Sequence, residues 1–187
     1  MPRIGSPSPA PIGLDSKSPG TAKGSGASIA DRIVAYPKQN FGQKVGDGEC
    51  FTLADRALAN AGAKSASDFG TVAPDIDYVW GAAVSLADVR PGDIVQFRNY
   101  RFDREVVTKK TGEIVTDTDF QERTPHHTAI VEKVDGSAIT VLEQNVDSSP
   151  VVRNQLFFKD SGPTTVGNAT TTIKVSGKFW FYRPQSR

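Results

Sequence analysis

The spacing of apolar residues changes along this chain, from a helical period in the first third to alternation in the second half. Ile29, Ile33 and Val34 have the spacing of one helix face. Tyr36-Pro37 is expected to end or kink this first helix, because proline lacks the backbone N–H that a helix interior needs. The folded part of the chain is therefore predicted to begin near Ser28.

A second helix is predicted from Gly48 to Ala61. Its apolar positions form one stripe, made of Cys50, Leu53, Ala54, Ala57, Leu58 and Ala61. We expect Asp47 to cap the N-terminus of this helix and Gly62 to end it. The helix would therefore carry Cys50 at the head of its buried face.

Strands are predicted in the rest of the chain, at 93–97, 127–134, 138–145, 151–158, 170–175 and 178–182. A charged hairpin around Lys109–Gly112 is interpreted as part of an exposed insertion at about 99–125. Asp135-Gly136 is a strong hairpin signal. Helices followed by antiparallel strands indicate an α+β fold, with N-terminal helices packed on an antiparallel β-sheet of about five to six strands.

Residues 1–27 are rich in Ser, Pro, Gly, Ala and Lys and cannot bury enough apolar surface to offset chain entropy. They are predicted to be a disordered tail, and residues 28–187 are predicted to form one domain. The N-terminus lacks the apolar stretch of a secretory signal, and no apolar run is long enough for a membrane helix. We expect synthesis in the cytoplasm and export, to a cell wall, periplasm or target cell, by a non-classical or specialised route.

The charges are nearly balanced, with 22 basic and 21 acidic residues. A phosphate-binding surface usually shows a basic excess, so neither nucleic acid nor a membrane is expected as a partner. A single cysteine excludes an internal disulfide and any zinc site with two or more cysteine ligands. Asp117 and Asp119 lack the rest of a calcium-binding pattern, so we expect no metal and no cofactor.

The candidate chemistry centres on Cys50, which follows a glycine-rich turn. In the first turn of a helix, unpaired N–H groups and the helix dipole favour a thiolate. A lone cysteine with a distant histidine, His127, and a polar residue to orient it outlines a cysteine hydrolase. The histidine would take the thiol proton and later protonate the leaving amine. Either Glu143 or Asn145 could hold its second ring nitrogen.

The hairpin after His127 tests this arrangement. A three-residue loop at 135–137 would set His127 opposite Asn145, with Glu143 on the same face and diagonal to it. A two-residue loop would set His127 opposite Gln144 instead. We prefer the first register, because it also brings the apolar residues of both strands onto one face.

Three further residues are candidates for contact with a substrate. The backbone N–H of Cys50 could donate to an oxyanion, and Gln43 is a candidate for a second donor. Trp80 is expected in the core or in the wall of a groove. Adjacent strand residues face opposite ways, so only one of His126 and His127 can act as the base. If it is His127, His126 lies on the surface or the rim of the site.

Five segments together resemble the CHAP family, the amidase/peptidase branch of the papain-like and NlpC/P60 superfamily. The segments are Gly42–Phe51, Pro91–Phe97, His127–Val131, Glu143–Asn145 and Gly177–Pro184, and the resemblance spans about residues 28–184. It implies a papain-like/NlpC-P60-type fold. It also implies that Cys50 is the nucleophile, His127 the general base and Glu143 the third member of a triad, with Asn145 completing a Glu-x-Asn pattern.

The resemblance further implies a peptidoglycan amidase or endopeptidase, of the kind found in bacteriolytic toxins. The chain departs from bacterial lysins because it has no recognisable wall-binding module and carries the charged insertion. The alternatives are a papain-like peptidase or deamidase that acts on a protein, and a non-catalytic binding module on the same fold. We expect a monomer whose partner is a peptidoglycan or peptide substrate. An inhibitor, an immunity protein or a secretion-system carrier are further candidate partners.

Overall fold

The computed structural model of the chain describes residues 26–187. The predicted disordered tail, residues 1–27, therefore lies outside the described residues except for its last two positions. The described chain contains two α-helices and seven β-strands. They are α1 (Ile29–Gln39), α2 (Cys50–Ala61), β1 (Ala82–Val84), β2 (Ile94–Lys110), β3 (Glu113–Asp135), β4 (Ala138–Glu143), β5 (Val152–Phe157), β6 (Ser161–Val166) and β7 (Ala169–Arg183).

Helix α1 begins with a capping box, in which Ser28 and Asp31 each satisfy a backbone N–H of the other. Tyr36-Pro37 was expected to end or kink the helix, and the first alternative is wrong, because the helix continues to Gln39 with Pro37 inside it. Pro37 lies in the last turn and its ring is buried. Packing of the ring there offsets the one hydrogen bond that proline removes.

Helix α2 begins at Cys50, two residues later than predicted, and so keeps Cys50 in the first turn and at the head of the apolar stripe. The N-cap is Glu49 rather than the predicted Asp47. The Asp47 carboxylate instead accepts a hydrogen bond from the Glu49 backbone N–H at 3.0 Å, and so fixes the residue that precedes the helix. Gly62 ends the helix in the left-handed conformation, with φ 72°, which confirms the predicted stop.

The seven strands form one antiparallel sheet in the order β1-β7-β2-β3-β4-β5, with β6 paired to β7. The α+β prediction is confirmed, although the sheet has two strands that the sequence pattern did not reveal. Strand β1 is three residues long, and β6 is largely exposed, so neither carries a clear alternation. The two strands predicted at 170–175 and 178–182 are one continuous strand, β7.

The predicted insertion at 99–125 is built from the same strands as the core, because β2 and β3 continue outward as a long arm. At its base, Tyr100 and Phe102 are buried. Its tip is a tight turn in which Lys110 pairs with Glu113. The outer part of the arm is further paired with β7. The charged surface of the arm therefore covers a regular extension of the sheet.

The β3–β4 hairpin reaches the predicted register by an unexpected route. Asp135 pairs with Ala138, so the loop has two residues and not the predicted three. An extra residue, Glu132, then bulges out of β3 and shifts the pairing by one position. Beyond the bulge Val131 pairs with Val141, which is the predicted register. Glu143 therefore lies diagonal to His127 on the same face.

The sheet is packed on both faces. On one face the helices cover Ile94, Ile130 and Trp80. On the other face the aromatic side chains of β2 and β7 meet Phe158, which follows β5. The Phe158 ring lies 4.9 Å from that of Phe181 although β5 and β7 are far apart in the strand order, so the sheet is strongly curled.

Candidate active site

The loop before Cys50 is held by a buried side chain at the end of β4. The Gln144 amide accepts a hydrogen bond from the Val45 backbone N–H at 3.0 Å and donates to the Val45 carbonyl at 3.0 Å. It also donates to the Glu49 carbonyl at 2.7 Å. Gln144 thus joins the strand that carries Glu143 to the residue that immediately precedes Cys50. The sequence analysis did not assign this role to Gln144.

His127 lies between the thiol and a carboxylate. Its Nε2 is 3.0 Å from Oε2 of Glu143. A carboxylate can only accept, so Nε2 carries a proton. Cys50 is close enough to the imidazole to affect its pKa, and it lines the same hollow as His127. Because Glu143 engages Nε2, Nδ1 is the nitrogen that remains available to the sulfur. Cys50 is 8% exposed and His127 5%, so a substrate could reach both from one side only.

The surroundings of His127 and Glu143 favour the ionised form of each side chain. Burial alone lowers the pKa of His127, but the interactions of the imidazole with Cys50 and Glu143 outweigh burial and raise the pKa to about 9. Burial alone raises the pKa of Glu143, but hydrogen bonds from His127 and Arg123 lower it to about 2. At neutral pH the structure therefore favours an imidazolium beside a carboxylate.

Glu143 has further partners that the sequence analysis missed. Arg123 donates from Nε to Oε2 of Glu143 at 2.9 Å and from Nη2 to Oε1. Asn154 donates to Oε1 at 2.9 Å. Arg123 lies four residues before His127 on β3, so strand alternation puts both on one face and could have indicated it. Asn154 comes from β5, and only the β4–β5 pairing reveals it.

The two candidates for orienting His127 occupy different places. Glu143 is fully buried and contacts the imidazole directly. Asn145 is exposed, and its amide donates to Oε2 of Glu49 at 2.9 Å. The structure therefore brings Glu143, and not Asn145, to the second nitrogen of His127.

The three predicted substrate contacts have different outcomes. Two hollows in the surface border Cys50, and Gln43 lines neither of them. Gln43 is exposed, and its carbonyl accepts a hydrogen bond from the Val151 N–H at 3.0 Å. Trp80 lies in the core, the first of the two expected places, and donates its indole N–H to Gln96 at 3.1 Å. It is completely buried, so its candidacy as a substrate contact is wrong. His126 lies on the rim and lines both hollows.

Cys50 lines both of these hollows. One has a volume of about 270 Å³ and is lined by His127 and Arg123 among others. The other has a volume of about 450 Å³ and is lined by Phe51 and Tyr78 among others. The thiol therefore lies at the junction of two open spaces, as an extended chain crossing it would require.

Residues 26–187 contain no group of three or more His, Cys, Asp or Glu side chains that could hold a metal ion. The helices of the same residues are also too short or too polar to cross a membrane.

The fold and the arrangement of Cys50, His127 and Glu143 define the class of papain-like cysteine proteinase folds. Within this class, the chain belongs to the AIM3/BBC1 cysteine proteinase-fold domain family, whose model matches residues 23–187. The chain is also 26% identical over 142 residues to altered inheritance of mitochondria protein 3 of Debaryomyces hansenii. That alignment covers 67% of this chain and 14% of the relative, so the chain corresponds to a small part of it. No solved structure matches.

The family supports the fold expected from the sequence but not the expected substrate. It supports the papain-like cysteine proteinase fold that the resemblance implied. It does not single out the CHAP family, and it gives no support to peptidoglycan as the substrate.

Proposed function

We propose that this domain is a cysteine-dependent amide hydrolase that acts on peptides or proteins. Cys50 is the nucleophile, His127 the general base and acid, and Glu143 the residue that orients His127. One observation carries this proposal, namely the buried imidazole that Glu143 engages through Nε2 and that lies beside Cys50 in one hollow. This is the arrangement that activates a thiol and then protonates a leaving group.

The proposed reaction has two halves. The proton of the thiol resides on Nδ1 of the His127 imidazolium, and the sulfur of Cys50 attacks as a thiolate and forms a bond to the amide carbonyl carbon, whose C=O π electrons move to the oxygen. The Cys50 backbone N–H lies in the first helical turn, where no intrahelical acceptor is available, and it donates to the developing oxyanion. The C–N bond then breaks, and Nδ1–H protonates the leaving nitrogen. A water molecule, deprotonated by Nδ1, attacks the thioester and restores the thiolate.

Glu143 supports both halves of this reaction without changing its own charge. Because its pKa is about 2, it remains a carboxylate while His127 gains and loses a proton at Nδ1. It therefore keeps the Nε2 proton in place and leaves Nδ1 free to exchange protons with the sulfur and the substrate.

A polypeptide is the substrate that the family favours. The family is described by its cysteine proteinase fold, and the curated relative is a yeast protein. Peptidoglycan stem or bridge peptides, which the resemblance to the CHAP family implied, are the competing substrate. Side-chain deamidation of a protein uses the same nucleophile and is the second competitor.

The test compares the wild type with Cys50→Ala on three substrates: a mixture of peptides, a folded protein set and purified peptidoglycan. Mass spectrometry identifies the products. New peptide termini that appear only with the wild type are expected. Fragments from peptidoglycan alone would replace the substrate assignment, and a gain of one mass unit at glutamine or asparagine would replace hydrolysis by deamidation.

The thiol itself provides an independent measurement. Cys50 of the folded protein is expected to react with iodoacetamide faster than the same cysteine in urea, because His127 activates it. A folded protein whose Cys50 reacts more slowly than the unfolded chain, and that cleaves none of the three substrates, would contradict catalysis and favour a binding module.

A further inference from the structure

The main chain of β3 has an unpaired edge along the arm. From Glu113 to His127, within the part of the chain that the structure describes, β3 pairs with β2 and with no strand on its other side, because its pairing with β4 begins at Ile130. β5 approaches this part of β3, but the contact is made by a side chain, that of Gln121, whose amide lies 3.5 Å from the Gln155 carbonyl. An unpaired edge presents a row of N–H and C=O groups with which another extended chain can pair.

Hydrogen bonds at the tip of the arm show which main-chain groups of β3 point outward. The backbone N–H of Lys109 on β2 donates to the Asn168 carbonyl, on the β7 side, at 2.8 Å. Neighbouring residues of a strand direct their N–H and C=O groups to opposite sides, so Thr108 faces β3 and bonds to its partner Val115. Val115 and every second residue after it, up to Gln121, therefore bond to β2.

The residues between these positions direct their main-chain groups away from β2. In the arm, those nearest to the site are Phe120 and Glu122. The Glu122 carbonyl accepts a hydrogen bond from Nη1 of Arg123 at 2.7 Å. Three groups then remain without a partner within residues 26–187, namely the N–H groups of Phe120 and Glu122 and the Phe120 carbonyl. We call these three groups the free edge.

The free edge leads into the smaller hollow. Glu122 lines this hollow together with Cys50 and His127. The segment 145–147, which follows β4, lines it as well. β4 ends at Glu143, and the chain turns at the first residue of this segment, whose φ is 67°. The hollow therefore lies along β3 beyond the point where β4 has ended, and an extended chain that enters it would continue the sheet.

We propose that a polypeptide substrate binds to β3 as an added strand, with its main chain paired to the free edge and its scissile amide in the smaller hollow at Cys50. The ligand is an extended segment of a peptide or of a locally unfolded protein, recognised through its own N–H and C=O groups. This assignment rests on the proposed function, which makes the bound chain a substrate. It also gives the arm a role, because the arm carries the free edge.

Pairing of this kind has a periodic signature. Every second residue of an added strand directs its N–H to β3, and the residues between them direct theirs to the other side. Main-chain hydrogen bonds supply affinity whatever the side chains are. The selection of substrates on this side of the scissile bond should therefore depend on an extended main chain rather than on sequence.

The first test needs no variant of the protein. It compares a twelve-residue peptide that the wild type cleaves with copies that each carry one N-methylated amide. On one side of the scissile bond, kcat/KM is expected to fall about 3- to 10-fold at every second position, because each such methyl group removes one hydrogen bond to β3. Equal losses at neighbouring positions, or no loss at any position, would overturn the added strand.

The second test removes one donor from the free edge. Phe120→Pro lacks the outward N–H, and edge strands tolerate proline where the N–H faces away from the ladder. Phe120→Ala keeps the N–H, so the comparison of the two variants isolates that group. For the twelve-residue peptide, kcat/KM of Phe120→Pro is expected to be about 3- to 10-fold below that of Phe120→Ala.

A shortened peptide controls for damage to the site. It lacks the residues that would pair with the free edge, and the two Phe120 variants are expected to cleave it at equal rates. The same difference between the variants on both peptides, or no difference on either, would overturn the assignment of the free edge.

Amide hydrogen exchange in Cys50→Ala, followed by NMR, separates this proposal from the proposed function. Without ligand, the N–H of Phe120 is expected to exchange fast and that of Gln121 slowly, because Gln121 bonds to β2. Slow exchange of Phe120 in the free protein, as in a dimer paired through this edge, would overturn the proposal. A degenerate pool of twelve-residue peptides, at about ten times its Kd, is expected to slow exchange at Phe120 and Glu122 about 10-fold, and a fully N-methylated pool is expected to have no effect.

The combined outcomes distinguish the two proposals. Slowed exchange at Phe120 and Glu122 without any cleavage by the wild type would support the added strand and contradict hydrolysis. Cleavage by the wild type without slowed exchange would overturn the added strand while hydrolysis stands, and neither effect would overturn both.

Discussion

At the scale of single residues, a buried ion pair supports the candidate catalytic histidine. Glu143 has no exposed surface, and a lone carboxylate there would lose its hydration without compensation. Arg123, itself 3% exposed, supplies the opposite charge through two hydrogen bonds. The pair allows a full negative charge to lie next to Nε2 of His127 in a site from which water is largely excluded.

Substitution of Glu143 and of Asn145 should show which of the two orients His127, a choice that the sequence left open. In Glu143→Gln we expect hydrolysis to fall by about 10³-fold or more, because a neutral amide neither stabilises the imidazolium nor fixes its tautomer. In Asn145→Ala the rate of hydrolysis should fall by less than about 10-fold, since Asn145 contacts Glu49 and not His127. Initial rates of both variants, with circular dichroism to verify folding, measure the contrast. The reverse order of losses would assign the orienting role to Asn145.

Arg123→Met should lower the free energy of unfolding by about 3–5 kcal/mol, because it leaves the Glu143 carboxylate buried without the guanidinium that balances its charge. Arg104→Met is a matched control, since Arg104 pairs with Asp119 on the exposed arm and its loss should change stability by less than about 1 kcal/mol. Urea unfolding measures both. Equal effects of the two substitutions would show that burial of the first pair has no energetic consequence.

Stability should depend on pH in two opposite directions. The pKa of Glu143 is about 2 in the folded state against 4.5 ordinarily, so its stabilising contribution is present above pH 4.5 and is lost as the pH falls towards 2. The pKa of His127 is about 9 against 6.5, so its contribution is present below pH 6.5 and is lost as the pH rises through 9. Both contributions to the free energy of unfolding are therefore fully present only between pH 4.5 and 6.5.

Urea midpoints recorded from pH 2 to 10 measure this dependence. In His127→Gln the loss between pH 6.5 and 9 should be smaller than in the wild type, because the titrating imidazole is gone. An unchanged alkaline loss in that variant would mean that another group is responsible for it.

At the scale of elements, bulges adjust the strands where the core passes into the arm. The pairing of β2 shifts between Arg98 and Tyr100 on one side and between Arg98 and Arg101 on the other. Asn99 lies within both shifts with φ 49°. Opposite it on β7 is Gly177, whose φ is 83°. Bulges bend and twist strands, and these let β2 belong to both the core and the arm.

Gly177→Ala should be strongly destabilising, by about 3 kcal/mol or more, because an added Cβ would lie 2.0 Å from the Asn99 carbonyl oxygen. Gly112→Ala tests the same positive φ without the clash. Gly112 has φ 77° in the turn at the tip of the arm, with no atom within 4 Å of an added Cβ, so its loss should cost about 1 kcal/mol. Thermal unfolding of the two variants provides the comparison. Equal melting temperatures would show that the close approach at Asn99 relaxes freely.

At the scale of the whole molecule, the curled sheet brings distant strands together around Phe158. Its ring lies 5.0 Å from Phe179 and 4.9 Å from Phe181 on β7, and 5.5 Å from Tyr100 on β2. The chain leaves β5 at Phe157, so Phe158 connects the β5 edge of the sheet to the opposite part of it. The face that carries His127 is enclosed by these contacts.

Phe158→Ala should lower stability by about 3–5 kcal/mol, because it leaves a cavity among aromatic rings that the curled backbone cannot easily close. Phe120→Ala removes the same side chain from the arm, where it is 56% exposed, and should cost less than about 1 kcal/mol. Chemical denaturation measures both, and the iodoacetamide rate of Cys50 reports whether opening the sheet also disturbs the site. A small loss for Phe158→Ala would mean that the sheet holds its curvature without this residue.

Local patterns in the sequence were enough to locate the helices, the main strands and the thiol. Three features of α2 depend on neighbours within one or two helical turns: the apolar stripe, the end at Gly62 and the position of Cys50 in the first turn. The alternation that puts His127 and Glu143 on one face likewise needs only the two strands of one hairpin. Such features follow from periodicity, which is written into consecutive residues.

Contacts between residues far apart in the chain could not be obtained in this way. The register at Glu143 depends on the bulge at Glu132, and a slip of one residue would have turned every side chain of β4 to the opposite face. Arg123 and Asn154 could become partners of Glu143 only after β3, β4 and β5 were aligned, and Trp80 could be placed in the core only after the helices covered it. These outcomes were decided by tertiary packing, because the free energy of burying a charge or a ring depends on which distant atoms surround it.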